Sequence, residues 1–199
     1  NGMTMTTQKQ LERYEAEKPD DCERNIGRVL VACEYSGTVR DAFARRGWDA
    51  WSCDLLPSEK PGNHHQCDVR EILDEGWDIM VAHPPCTHLA VSGARWFAAK
   101  QREQAEALDF VRLLLSAPIP QIALENPVSI ISSKIRKPDQ VIQPWQFGHG
   151  ETKATCLWLK NLPLLVPTKI LEPKWYQNAD GTEYRDGKGK RYSPSHYLS

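Results

Sequence analysis

The sequence predicts an α/β fold, in which a mostly parallel, twisted sheet is flanked by helices. Short apolar runs of strand length alternate with helical patterns along most of the chain, and short connections join them. Such alternation is typical of βαβ units, whose helices pack on the faces of a parallel sheet. Apolar residues make up 40% of the 199 residues, which is enough for one domain with its own core.

The first part of the chain predicts two strands and one helix. Residues 28–33 form a continuous apolar run, as expected for a strand that is buried on both faces. A turn over residues 34–37 leads into a helical pattern over residues 38–46, which a glycine ends. The second strand is predicted over residues 49–53 and closes on Asp54.

The middle of the chain predicts a strand that runs directly into a rigid loop. A loop over residues 57–66 and a short helix over residues 70–73 precede a strand over residues 77–82. The following His-Pro-Pro-Cys stretch must be a loop, since proline limits both its own backbone and that of its predecessor. A long amphipathic helix is predicted over residues 94–116.

The last strands and the tail complete the predicted organisation. Strands are expected over residues 121–124, which end at Glu125-Asn126-Pro127, and over residues 154–159. No linker divides the chain. We expect an N-terminal segment over residues 1–24 with a short helix, one domain over 25–170, and a polar C-terminal tail over 171–199.

The composition indicates which cell compartment and which binding partners to expect. The net charge is −1, so nucleic-acid binding would need a local basic patch. No stretch approaches the roughly 18 apolar residues of a membrane helix, and no signal peptide opens the chain. The six cysteines contain no CxxC pair, which indicates free thiols in a reducing, cytoplasmic compartment. We expect all of them except Cys86 to be buried.

Polar and reactive residues follow the predicted strands. In open parallel sheets, ligands bind beyond the carboxyl ends of the strands, which all lie at one edge. The residues at these ends are Glu34, Tyr35, Ser36 and Gly37; Asp54; Pro84, Pro85 and Cys86; and Glu125 and Asn126. The topology therefore predicts a site at this edge of the sheet.

Cys86 is a candidate nucleophile. The two prolines before it hold the backbone rigid in a strand-end loop, which presents the sulfur to solvent. A buried loop cysteine is the alternative. A metal site that combines Cys86 with His83 and His88 fits the spacing of zinc ligands poorly, so we expect no metal.

Carboxylates at other strand ends have two possible roles each. Asp54 lies about twenty residues after the first turn, where an acid typically accepts hydrogen bonds from ribose hydroxyls, although a turn residue is the alternative. Asp68 could likewise accept hydrogen bonds from a ligand, and the alternative is that it caps the next helix. Glu125 ends an apolar strand, where partial burial would raise its pKa and let it donate a proton to a ring nitrogen; a loop-forming glutamate is the alternative.

The order of these residues resembles the catalytic domain of the DNA cytosine-5 methyltransferases. The resemblance covers roughly Val29 to Leu159 and is most specific at residues 78–86, which Ser92-Gly93 follow, and at residues 123–126. More narrowly, residues 34–37 and 83–88 resemble the compact methylase-like proteins of bacteriophages and prophages. The resemblance implies a Rossmann-like fold of the S-adenosylmethionine-dependent methyltransferase type, in a bacterial or phage-infected cell.

The resemblance also implies a role for each site residue. S-adenosylmethionine would lie against the backbone of Glu34, Tyr35, Ser36 and Gly37, with Asp54 at its ribose and Asp68 near its adenine amine. The other implied cofactor-binding residues are Leu55, Val69 and Pro84. A cytosine flipped out of duplex DNA would be attacked at C6 by Cys86, while Glu125 binds N3. The implied substrate-binding residues are Pro85, Ser92, Asn126, Lys153 and Thr155.

Three departures from the family keep other functions open. Glu151-Thr-Lys153-Ala-Thr155 stands where the family has Gln-x-Arg-x-Arg, and Pro127 replaces its valine. Only 40 residues follow Leu159, too few for the family's large target-recognition domain. We therefore expect either a truncated or minimal form, with little sequence selectivity or with a protein partner that supplies target recognition, or a smaller substrate. The alternatives are methylation of a free cytosine nucleotide or RNA, and a non-catalytic relative that binds DNA or protein.

Overall fold

The computed structural model describes residues 27–90, 101–187, 189 and 191, and its strands form a single sheet. The strands are β1 (Arg28–Ala32), β2 (Asp49–Asp54), β3 (His64–Gln66), β4 (Ile79–Ala82), β5 (Gln121–Pro127), β6 (Gln140–Ile142) and β7 (Thr155–Lys160). Their order is β3-β2-β1-β4-β5-β7-β6. The first five strands pair in parallel, whereas β7 is antiparallel to both β5 and β6. The predicted α/β class with a mostly parallel sheet is confirmed.

Helices cover both faces of the sheet. The α-helices in the described residues are α1 (Thr38–Ala44), α2 (Gln101–Leu115) and α3 (Ile131–Lys134), and short 3-10 turns span Val69–Glu71 and Pro144–Gln146. Leu30 of β1 packs in one cluster with Val111 of α2, and Val29 packs in another with Phe43 of α1. Successive residues of β1 therefore point to opposite helical layers, which explains its continuous apolar sequence.

Two short strands were not predicted. β3 lies inside the predicted 57–66 loop and pairs with β2, and β6 pairs with β7 at the other edge. Each has three residues, and His-His-Gln and Gln-Val-Ile carry no strand-length apolar pattern. These two edge strands form because β2 and β7 pair with them, and not because of a pattern in their own sequences. The expectation of a plain loop at residues 64–66 was therefore wrong.

Other boundaries differ by a few residues. β5 continues through Glu125, Asn126 and Pro127, since β7 pairs with all three, where the sequence predicted that the strand ends at Leu124. The helix expected at residues 70–73 is the 3-10 turn Val69–Glu71. The N-terminal helix expected at residues 7–18, and residues 94–100 of the long helix, lie outside the described residues.

The topology creates a crevice at the carboxyl edge of the sheet. From β1 the chain moves outward to β2 and β3, and it then returns to form β4 on the other side of β1. Ligands bind at such a switch in strand order. Within the described part of the chain, no helix has the length and apolar character needed to cross a membrane.

Candidate active site

A cavity of about 250 Å³ lies over the carboxyl ends of β1, β2 and β3. It brings together residues predicted to bind the cofactor, which are Asp54, Leu55, Asp68 and Val69. Pro85 borders it from the loop after β4, and Phe110 borders it from α2. Complete small-molecule sites usually measure roughly 300–1,000 Å³, so this cavity suits part of a ligand, such as a nucleoside.

The turn after β1 is organised around the Glu34 side chain. Its Oε1 accepts the Val39 N–H at 2.6 Å and the Ser36 hydroxyl at 3.1 Å, and its Oε2 accepts the Arg40 N–H at 3.2 Å. The Ser36 hydroxyl oxygen in turn accepts the Thr38 N–H at 3.3 Å. The first amides of α1 are thus bonded within the protein, and Glu34 is buried. The Glu34 side chain therefore holds the turn, and contact between this residue and a cofactor stays a prediction.

The other residues of this turn differ in exposure. Tyr35 is exposed, Ser36 is half-buried and Gly37 is buried. Gly37 has φ +69°, and a Cβ atom there would lie 2.4 Å from the Arg40 guanidinium. Only glycine fits this left-handed position without displacing Arg40.

The two aspartates near the cavity already make local hydrogen bonds. Asp54 Oδ1 accepts the Leu56 N–H at 3.0 Å in a turn at the end of β2. Asp68 caps the 3-10 turn through Oδ1, which accepts the Arg70 N–H at 3.0 Å, and its Oδ2 lies 2.9 Å from the Arg70 guanidinium. Asp68 therefore has the capping role that competed with the cofactor role, and its contact with adenine stays a prediction.

Three cysteines also border the cavity. Cys33 follows β1 with φ 60°, an unusual backbone conformation for a residue with a side chain. Burial, and then the negative charges of Asp54 and Asp68, raise its pKa to about 12. The Cys53 sulfur lies 3.9 Å from that of Cys67, and burial raises the pKa of Cys53 as well. The thiols of Cys33 and Cys53 are therefore neutral near pH 7, which makes these two residues poor nucleophiles.

Cys86 contrasts with these thiols because its side chain is exposed. Pro84 and Pro85 precede it, and its carbonyl accepts the N–H groups of Leu89 and Ala90 at 2.9 Å each. Leu89 is completely buried in the core and anchors this turn. The prediction that the double proline presents the Cys86 sulfur to solvent is confirmed. Of the cysteines expected to be buried, Cys53 and Cys156 are buried, Cys33 and Cys67 are half-buried, and Cys22 lies outside the described residues.

Two side-chain hydrogen bonds join the end of β4 to the end of β5. His83 Nδ1 lies 3.1 Å from Glu125 Oε2, and Asn126 Nδ2–H donates to the Pro84 carbonyl at 2.9 Å. Asn126 and Pro84 are buried, whereas Glu125 is about one-third exposed. The pair of bonds fixes the Glu125 carboxyl relative to the loop that carries Cys86.

The remaining predicted substrate residues have different positions. Thr155 pairs with Pro127, two residues beyond Glu125 on the same face of the sheet, and its hydroxyl donates to the Lys153 carbonyl at 3.3 Å. Lys153 is exposed just before β7. Ser92 lies outside the described residues. Asn126 is 1% exposed, so it positions the loop through Pro84 from beneath the surface.

Sequence reasoning missed Arg40 and Phe110 of this region, and it considered His83 only as a metal ligand. Arg40 is 1% exposed, and its guanidinium donates to the hydroxyls of Ser52 and Ser58 and to the Pro61 carbonyl. It ties the loop after β2 to α1. Arginine in a helical pattern normally indicates a solvated face, so no signal in the sequence marked it as buried.

Within residues 27–90 and 101–187, no group of three or more His, Cys, Asp or Glu side chains could hold a metal ion. His64 bonds to the Ser52 hydroxyl at 2.9 Å and to the Leu56 carbonyl at 3.0 Å, and His65 stacks on Trp51. These histidines therefore have packing and hydrogen-bonding roles.

No family model matches the chain, and no curated protein matches its sequence.

Proposed function

We propose that this protein is an S-adenosylmethionine-dependent methyltransferase that methylates C5 of cytosine in DNA through a covalent adduct with Cys86. One observation carries the proposal. The parallel pairing of β4 with β5 sets the loop that carries the exposed Cys86 beside the strand that carries the partly exposed Glu125, and two hydrogen bonds join these segments. Cytosine-5 chemistry needs such a nucleophile and such an acid at one base. The mostly parallel sheet is compatible with the Rossmann-like methyltransferase fold.

The beginning of α1 favours a cofactor without phosphate groups. In dinucleotide-binding folds, the pyrophosphate binds the N-terminal amides of the first helix. Here the Glu34 carboxylate accepts the amides of Val39 and Arg40. A phosphate would find the amides of Thr38, Val39 and Arg40 already bonded and would be repelled by the Glu34 carboxylate. S-adenosylmethionine carries no phosphate, so it fits this turn.

The charge of the cavity also favours a cationic cofactor. Asp54 and Asp68 border the cavity, and after burial they are the next causes of the raised pKa of Cys33, whereas Arg70, which pairs with Asp68 there, lowers that pKa by a smaller amount. A field that disfavours a thiolate stabilises a cation such as the sulfonium of S-adenosylmethionine. Leu55, Val69 and Phe110 supply apolar contacts for its adenine, and Asp54 supplies an acceptor for its ribose.

The residues of this chain divide the chemistry between them. Bound S-adenosylmethionine supplies an electrophilic methyl group. The Cys86 thiolate forms a bond to C6 of the base, which makes the C5–C6 electron pair available at C5. Glu125 gives its proton to N3, so negative charge does not build up on the ring. After C5 has gained the methyl group and lost its proton to water, the C6–S bond breaks, its electron pair returns to sulfur, and N3 returns its proton to Glu125.

A second candidate substrate is a free cytosine nucleotide. The net charge of −1 provides no general attraction for a polyanion, which favours this smaller substrate. DNA binding by Lys153 and neighbouring cations would weaken steeply with added salt, whereas binding of a nucleotide would depend on salt only weakly. The salt dependence of methyl transfer therefore separates the two substrates.

The first experiment is calorimetric titration of the protein with S-adenosylmethionine, and with NAD as the phosphate-bearing control. We expect saturable 1:1 binding of S-adenosylmethionine and none of NAD. Asp54→Asn should weaken the binding, whereas Asp74→Asn, at an exposed site, should not. Binding of NAD alone would overturn the cofactor assignment.

The second experiment traps the covalent adduct. Duplex DNA with 5-fluorocytosine retains fluorine at C5, which blocks release of the enzyme after methyl transfer. We expect a denaturation-resistant complex that requires S-adenosylmethionine, and mass spectrometry should locate it at Cys86. Cys86→Ala should abolish it, and Thr87→Ala, at the exposed neighbouring residue, should preserve it. A complex that survives Cys86→Ala would exclude this nucleophile.

A further inference from the structure

The interaction of His83 with Glu125 is part of the sheet geometry. Ala82 of β4 pairs with Leu124 of β5, so His83 and Glu125 occupy the next position along the two strands. The His83 backbone N–H donates to the Ala32 carbonyl at 2.9 Å, which holds this residue against β1. The Nδ1–Oε2 distance is 3.1 Å, and the side chains are 28% and 32% exposed. The Glu125 carboxyl therefore contacts the His83 imidazole at a fixed position at the carboxyl edge of the sheet, next to the loop that carries Cys86.

The hydrogen bond constrains the Glu125 carboxyl through a single oxygen. An ionised carboxylate only accepts hydrogen bonds, so Nδ1 carries the proton when Glu125 is charged. His83 Nε2 is buried, and within the described part of the chain it has no hydrogen-bond partner. The ring is thus held through Nδ1 alone. The terminal torsion of a glutamate is broad, so this bond is what selects one orientation of the carboxyl plane.

We propose that His83 is a positioning residue for Glu125. Its Nδ1–H binds Oε2 and so directs Oε1 toward N3 of the flipped base. When Glu125 gives the Oε1 proton to N3, the same Nδ1–H stabilises the resulting carboxylate. The proton returns to Oε1 when the base is released, and His83 keeps its own proton throughout. This inference rests on the proposed methyltransferase function.

Three substitutions at His83 distinguish positioning from a purely structural role. Asparagine places its amide nitrogen where Nδ1 lies, glutamine places it near Nε2, and leucine removes both donors. We expect His83→Asn to retain kcat within a few fold, and His83→Gln and His83→Leu to lower it roughly 10- to 100-fold, the scale of a misplaced catalytic group. The KM for S-adenosylmethionine should stay constant in all three, since His83 does not border the cofactor cavity.

The comparison of asparagine with glutamine keeps the test decisive if the leucine variant fails to fold. Thermal unfolding of both amide variants provides the control. Equal kcat values for these two would overturn the positioning role, and so would a wild-type rate in the leucine variant. A wild-type protein that binds S-adenosylmethionine but methylates no cytosine substrate would instead overturn the proposed function, and this inference with it.

A readout without substrate tests the pair itself. The ¹⁵N resonances of the His83 imidazole report which nitrogen carries the proton. We expect Nδ1 to be protonated and its resonance to shift in Glu125→Gln, while that of the exposed His149 stays unchanged. A proton on Nε2 alone, or no response to Glu125→Gln, would overturn the inference even in an active methyltransferase.

Discussion

The Glu34 carboxylate accepts the backbone N–H of Val39 at 2.6 Å. Its other oxygen accepts the N–H of Arg40, so the Glu34 side chain caps the first turn of α1. Glu34→Ala should leave two amides without partners and lower the free energy of unfolding by about 1–3 kcal/mol. Glu34→Gln keeps one acceptor oxygen and should cost less. Urea denaturation measures both variants.

Glu59→Ala is the matched control for Glu34, because Glu59 is an exposed glutamate in the adjacent loop. It should leave the unfolding midpoint almost unchanged. Equal midpoints for Glu34→Ala and Glu59→Ala would show that water satisfies the α1 amides. The argument against phosphate-bearing cofactors would then lose its physical basis.

The cysteines should react with iodoacetamide in an order set by exposure and pKa. Among the cysteines that the structure describes, Cys86 is exposed and should be modified first at pH 8. Burial and nearby carboxylates raise the pKa of Cys33 to about 12, so its reactive thiolate forms only as the pH approaches that value. Burial, and then the charge of Glu125, raise the pKa of Cys156 too. Peptide mass spectrometry over time gives the order.

Protein unfolded in urea is the control for this order, since all cysteines should then react at similar rates. Modification of Cys33 should also accelerate as the pH is raised, for as long as the fold persists. If native Cys33 is modified as fast as Cys86 at pH 8, its thiol is neither buried nor subject to the field of Asp54 and Asp68.

Arg40 should contribute to stability through its several bonds to the loop after β2. Lysine cannot donate to Ser52, Ser58 and Pro61 at once, because it lacks the planar fork of guanidinium. We expect Arg40→Lys to lower the free energy of unfolding by about 2–4 kcal/mol, from the loss of charge-assisted hydrogen bonds. Arg46→Lys, at an exposed position, is the control.

Proteolysis provides a local test of the same residue. Released from Arg40, the loop should be cleaved after Glu59 by a glutamate-specific protease while the sheet remains folded. Cleavage at the wild-type rate in Arg40→Lys, with unchanged stability, would contradict the anchoring role.

The central strands were predictable because their side chains are buried on both faces. Val29, Leu30, Val31 and Ala32 are all fully buried, and four consecutive apolar residues with such burial leave a clear pattern. β3 and β6 could not be predicted in this way. They are three-residue edge strands whose structure depends on β2 and β7, which lie next to them only after folding.

The candidate site was predictable where the chain itself constrains a residue. Two prolines were enough to predict the exposed Cys86. The contact between His83 and Glu125 joins residues 42 positions apart, and it depends on the β4–β5 register, which no local pattern contains. Glu34 was placed correctly in a turn, but its capping of Val39 depends on the left-handed Gly37 between them.

Asn126 should be essential for holding the loop that carries Cys86. Its Nδ2–H donates to the Pro84 carbonyl at 2.9 Å, and the side chain is 1% exposed. Asn126→Asp preserves shape, but an ionised carboxylate cannot donate and would face a carbonyl oxygen in a buried site. We expect a loss of about 2–4 kcal/mol in the free energy of unfolding at pH 7, and a lower kcat.

The pH dependence of this variant tests the reason for the loss. Burial raises the pKa of the introduced carboxyl in the folded state above its unfolded value of roughly 3.9. Its protonated form can donate to Pro84, so the stability deficit of Asn126→Asp relative to wild type should shrink as the pH falls toward 4 and grow as the pH rises. Asn63→Asp, at an exposed residue, should show no such trend. A deficit in Asn126→Asp that stays constant between pH 4 and 7 would mean that the hydrogen bond to Pro84 does not hold the loop.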